Sequence, residues 1–172
     1  TNPYDLSPTW RKMVALASLI DMHTPIVIFD EPTTGQDAVT VGRIAQVIAE
    51  ARKDREARGI TLPLYLYVDA AQASLLNLSV ARLGVDLMSL SANKFYGPVG
   101  VGTLYIRTGV EIAPLNPAGG QESGLRGGTE NVSGVLGMAV ALQQVQKNRQ
   151  SETKRLEVLR NHLWQELNKK VE

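Results

Sequence analysis

Lys94, Asp69, Ser91 and Gln72 offer an amine, a carboxylate, a hydroxyl and an amide, kinds of group that can do chemistry. A lysine amine forms a Schiff base with an aldehyde, which divides a difficult reaction into easier steps. Taken singly, a lysine and an aspartate at strand ends are ordinary solvated residues, and they become a site only if the fold makes them converge. A second candidate is the acidic pair Asp30 and Glu31, which follows the apolar run IVIF. Such a pair either serves a hydrated metal ion and its attacking water or merely ends a strand and caps the next turn.

The elements that must position these groups follow from periodicity. Ser7 and Pro8 suit a helix N-cap and first position, and Met13, Leu16, Ala17 and Ile20 recur on one face, so a first helix is expected to end before Pro25. Residues 26–29 predict a strand buried on both faces, as in parallel sheets. Val41, Ile44, Ile48 and Ala51 mark a second helix that runs into a charged stretch and stops at Gly59. Residues 64–68 and 86–90 predict two more strands, joined through a short helical turn at 79–83 and Gly84, and the crossover pattern makes them parallel. Residues 101–106 predict a strand that turns back antiparallel after the tight FYGPVG loop, and the Gly- and Pro-rich segment 113–128 predicts a long loop. Helical spacing returns with Val135, Met138, Leu142 and Val145 and continues through Leu156, Leu159, Leu163 and Leu167; both stripes predict core-facing packing.

These elements predict an α/β domain of three layers, αβα, with a small, mostly parallel sheet of about four strands in sequential order, the last antiparallel. Asp69 and Ser91 then end neighbouring strands about 4.8 Å apart, at the carboxyl edge where open α/β sheets bind ligands.

With 44% hydrophobic content, 172 residues can bury one core as a single domain. A balance of 18 basic and 17 acidic residues offers no electrostatic footprint for nucleic acid or an anionic membrane. No apolar run approaches the roughly 20 residues of a membrane span, and no charged-then-apolar leader opens the chain. A soluble, cytoplasmic chain with no nucleic-acid or membrane partner is therefore expected. The absence of cysteine excludes disulfides, thiolate metal sites and a thiol nucleophile, and suits a reducing compartment. His23 and His162 are the only histidines and lie too far apart in sequence to suggest a metal pair, so no metal site is expected.

Two sets of motifs carry resemblances to known families. Residues 6–48, in the order helix, IVIFDEP, TTGQD, resemble the signature helix, Walker B strand and D-loop of ABC-type ATPases. That resemblance implies Mg²⁺ held through Asp30 and a water polarised by Glu31. The chain departs from that family in having no phosphate loop ending in GK[ST], LSPTW in place of LSGGQ, and Tyr67, Val68 and Asp69 where a switch histidine is expected. ATP hydrolysis is therefore not expected. From Ala45 to Glu172, the motifs VDAAQ, LGVDLMSLSANKFYGPVGVGTLYIR and GGQESGLRGGTENV stand in the order found in cysteine desulfurases, which are pyridoxal-phosphate (PLP) enzymes. This resemblance implies that Lys94 is the Schiff-base lysine, here vestigial as a catalytic residue, and that Asp69 faces the pyridine nitrogen. It further implies that Ser91 donates to the phosphate and Gln72 bonds the phenolic oxygen. The motif GLRGGTEN supplies Arg126 and Thr129, the threonine being used in the family on a partner subunit's cofactor phosphate. Asn93 stands where the family has histidine.

Taken together, the two resemblances describe a chimera, with residues 1–45 ATPase-like, 46–172 PLP-enzyme-like, and the junction within the second helix. The expectation is an engineered or recombined α/β scaffold that requires no cofactor and has no complete enzymatic activity. The alternative is a residual PLP-binding protein using Lys94. A homodimer, through surface exposed by the missing domains, is the one partner expected.

Overall fold

Alternation of apolar and polar residues in two short segments decides the architecture. In β2 (Tyr65–Asp69) and β3 (Leu87–Ser91), every second residue is buried. The computed structural model describes residues 10–11, 14–15, 17–18, 26–30, 38–60, 64–114 and 119–170. Before these strands come β1 (Ile26–Asp30) and α1 (Ala38–Ala57), and α2 (Val80–Leu83) lies between them. After them come a 3₁₀ turn (Ala92–Phe95), β4 (Gly102–Ile106), a second 3₁₀ turn (Glu122–Gly124) and α3 (Val132–Asn168). The described residues of the first expected helix are helical, whereas Ser7, Pro8, Glu31 and the turn TTGQD lie outside the described residues.

The sheet has the order β1-β2-β3-β4, with β1, β2 and β3 parallel and β4 antiparallel to β3. This is the small, mostly parallel sheet of the α/β, three-layer class expected. Leu66 and Val68 of β2 and Met88 and Leu90 of β3 share one face and are buried against Ile48 of α1, Met138 of α3, Val85 and Phe95. Side chains of alternate parity, Tyr67, Asp69, Ser89 and Ser91, lie half-buried on the opposite face. The pleat thus separates the packing residues from the polar ones.

Stops fall where the sequence places left-handed backbone. Gly59 has φ 68°, and its N–H donates to the Glu56 carbonyl at 3.0 Å while that of Ile60 reaches the Arg55 carbonyl at 2.9 Å. Gly84, at φ 63°, closes α2 in the same way, donating to Val80. The β4 strand can approach β3 because residue 102 lacks a side chain: a Cβ on Gly102 would lie 2.9 Å from the Leu90 carbonyl oxygen.

The two apolar stripes near the C-terminus belong to one continuous helix of 37 residues, α3. Apart from Val135, its first turns behave as expected. The Asn131 side chain caps it by accepting from the Gly134 N–H at 3.0 Å, Met138 is buried, and Ala141, Leu142 and Val145 pack against the core. The second stripe does not: Leu156, Leu159, Leu163 and Leu167 are between 40% and 59% exposed. Val135, too, is exposed. For the second stripe the reason is length. At 1.5 Å per residue such a helix extends about 55 Å, far beyond strands of five residues.

Candidate functional site

β2 ends at Asp69 and the chain turns at once. Ala70 donates its N–H to the Ser89 carbonyl (3.0 Å), Ala73 to Ala70 (3.0 Å) and Leu76 to Ala73 (2.8 Å). Ala70 and Ala73 are buried, so the turn is drawn inward and Gln72 is left exposed between them. From α3, the Gln146 amide holds the segment by donating to the carbonyls of Ser74 (2.6 Å) and Leu76 (3.1 Å). The small residues of VDAAQAS are what let the turn lie so close.

Lys94 is placed by its neighbours. Ala92 and Phe95 are fully buried, whereas Asn93 and Lys94, between them, face outward. Burying a phenylalanine contributes about 3 kcal/mol, which anchors the 3₁₀ turn and leaves the amine exposed. Tyr96 takes a left-handed φ of 65°, and the Gly97 N–H closes onto the Ala92 carbonyl at 2.9 Å. A Cβ at Gly97 would sit 2.9 Å from that same oxygen, so the turn needs glycine at this position. The buried Ser74 hydroxyl adds a 3.4 Å bond to the Lys94 carbonyl.

The Asp69 carboxylate is oriented by two donors to one oxygen. Its Oδ1 accepts from the Ala71 N–H at 2.9 Å and from the Ser89 hydroxyl at 3.0 Å. Ser89 in turn accepts from the Tyr67 hydroxyl at 2.9 Å. The Ser91 hydroxyl donates to the Asn93 side-chain oxygen at 2.7 Å.

Asp69, Ser91 and Lys94 therefore stand at the carboxyl edge of β2 and β3, with Gln72 on the turn that leaves β2. The register refines this arrangement, because the residue beside Asp69 is Ser89, and Ser91 lies one pleat period farther along, about 7 Å. Tyr67 and Ser89 are the site-face residues that sequence reasoning missed. Period-two alternation already placed 67 with 69 and 89 with 91, but only the strand register brings the pairs together.

Other candidates lie elsewhere. Asp30 ends β1 in register with Asp69, and Glu31 is outside the described residues. Arg126, in the expected loop, and Thr129, just past its end, are exposed; of that loop residues 113–114 and 119–128 are described and 115–118 are not. This loop folds on itself, Gly124 donating to the Gly120 carbonyl at 3.2 Å and Gly128 to the Gln121 side chain at 3.2 Å. His162 is exposed on α3, and His23 lies outside the described residues.

A family model described as aminotransferase class-V matches residues 39–171. The chain belongs to that family. Among curated relatives, a cysteine desulfurase IscS of Dictyoglomus turgidum is 45% identical over 63% of this chain and 28% of its own length. Another, from Photorhabdus laumondii, is 39% identical over 94% of this chain and 36% of its own. A solved NifS-like protein superimposes with a TM-score of 0.74 and 34% identity, over 90% of this chain and 41% of that one. The chain thus spans about a third of the length of the curated relatives it matches.

These relationships correct the two-ancestor expectation. An alignment over 94% of the chain takes in most of residues 1–45, so a separate ATPase-derived segment and a chimeric junction find no support. A buried strand, an acidic turn and a crossover helix form one unit common to many parallel α/β folds, and IVIFDEPTTGQD matched that shared local grammar.

Proposed function

We propose that the sheet edge bearing Asp69, Ser91 and Lys94 binds PLP as part of a cysteine-desulfurase-like domain. The observation that carries this reading is the Asp69 carboxylate, half-buried at a strand end, with both of its described hydrogen bonds on Oδ1 and neither on Oδ2. Oδ2 is thereby the oxygen offered to a ring nitrogen.

The side chains fit the cofactor in kind. Lys94 is an exposed amine on a turn held by buried Phe95. Ser91 brings a hydroxyl to the end of β3, and Gln72 an amide to the neighbouring turn. Bound there, PLP would supply an electron sink for bonds next to an attached amine. The chain's own share is positional: Asp69 keeps a negative charge against the ring nitrogen, Ser91 and Gln72 orient oxygen atoms, and Lys94 offers the attachment point. Names of the relatives point to cysteine as substrate, but desulfuration needs a thiol nucleophile and these 172 residues contain no cysteine. PLP binding is the activity proposed for these residues.

A PLP titration followed by absorbance tests the reading. Binding should be lost in Lys94→Ala and weakened at least about tenfold in Asp69→Ala, the scale of a charge-assisted hydrogen bond. An exposed lysine condenses with any aldehyde, so equal binding by wild type and Asp69→Ala would leave only a scaffold.

A further inference from the structure

We infer that Tyr67 and Ser89 are positioning residues for the Asp69 carboxylate, forming a relay of two hydroxyls that sets which oxygen is presented to a bound pyridine ring. The inference rests on the PLP reading above and adds the means by which the site is organised before any cofactor arrives.

Tyr67 and Asp69 lie two residues apart on one face of β2, and Ser89 is the register partner of Asp69 on β3. The phenol hydroxyl donates to Ser89 Oγ at 2.9 Å and Ser89 Oγ donates to Asp69 Oδ1 at 3.0 Å. Direction matters here. A serine hydroxyl carries one proton and two lone pairs, whereas an ionised carboxylate only accepts. Because Tyr67 supplies a proton to Ser89, the serine has its own proton to give, and the rotor points at Asp69. With the Ala71 N–H also on Oδ1 at 2.9 Å, two donors from different directions fix the carboxylate plane.

Holding a group in its productive orientation reduces what binding must spend on ordering it. The hydroxyl of Tyr67 is directed at Ser89 and acts through it. If it served only as packing on a half-buried sheet face, phenylalanine would replace it without consequence.

The test uses the full 172-residue chain in two forms. In the cofactor-free protein, the Asp69 carboxyl ¹³C resonance at neutral pH should move in Ser89→Ala and also in Tyr67→Phe, a change that removes one oxygen and keeps the ring. An unmoved resonance in Tyr67→Phe overturns the relay whether or not PLP binds. With PLP added, affinity should fall about tenfold in Ser89→Ala and about threefold in Tyr67→Phe, while Ser89→Thr, which keeps the hydroxyl, stays near wild type. The double variant should be no weaker than Ser89→Ala, because both act on one path. The ring ¹⁵N resonance of labelled PLP should shift toward its unprotonated position in the same order. Unfolding midpoints of the variants separate these effects from loss of fold. If wild type binds PLP and Tyr67→Phe matches it in affinity and ring resonance, the inference fails and the PLP reading stands. Wild type binding no better than Lys94→Ala sinks the reading, and the positioning role with it.

Discussion

Asp86 and Asp69 are both aspartates beside the same pair of strands, and their surroundings give them opposite tasks. Asp86 has no exposed surface. It forms ion pairs with Arg52 and, at 2.6 Å, with Arg107, and accepts from the Leu66 N–H at 2.6 Å. Arg52 also donates to the carbonyls of Leu64 and Gly84, each at 3.2 Å. This cluster pins α1, β2 and the end of β4 together at the edge of the sheet opposite Lys94. Arg52 and Arg107 keep 31% and 52% of their side-chain surface, so removing the carboxylate would free them toward water while orphaning the Leu66 amide. Asp86→Ala should therefore cost about 2–4 kcal/mol, measured by urea unfolding; a loss below about 1 kcal/mol would mean that the cluster is incidental. The places of Lys94, Asp69, Gln72 and Ser91, at or just beyond strand ends, were legible from the sequence. Asp86 and the Tyr67–Ser89 contact were not, because burial and register are properties of strands already paired.

Among the elements, β2 and β3 were the most legible because each carries its own period: Leu66 and Val68, then Met88 and Leu90, define the buried face directly. The stripes of α3 looked equally clear and misled in their second half, since amphipathic spacing shows that a face exists without showing what covers it. Two substitutions separate the halves of this helix. Met138→Ala should destabilise the fold by about 2–4 kcal/mol, while Leu163→Ala, at a position 59% exposed, should change the unfolding free energy by less than about 1 kcal/mol. Equal losses would show that the C-terminal stripe is packed. The same helix carries a local pH response. The Arg155 side chain, through its hydrogen bonds to Glu152, holds that carboxyl below its ordinary value of 4.5. A depressed folded value contributes stability above the unfolded pKa and loses it as pH falls through the folded one. Helicity by circular dichroism should thus decline as pH is lowered through and below 4.5, and Glu152→Gln should flatten that decline slightly, since the pair faces solvent. A steeper decline in Glu152→Gln would reverse the assignment.

At the scale of the molecule, class-V aminotransferase membership gives one origin to nearly the whole chain, and with it a single explanation for the residues gathered at the carboxyl edge. The sequence carried this family in three long motifs, and obscured it at the start, where a strand and an acidic turn suit more than one α/β fold. Among the described residues no helix is long and apolar enough to cross a membrane. The proposed PLP binding rests on whether one lysine among several is singled out by its surroundings. Borohydride treatment of the protein with PLP, followed by peptide mass mapping, tests this most directly. The account predicts a pyridoxyl group concentrated on Lys94 in wild type, with that selectivity lost in Asp69→Ala. Label spread evenly over the exposed lysines in both proteins would contradict it.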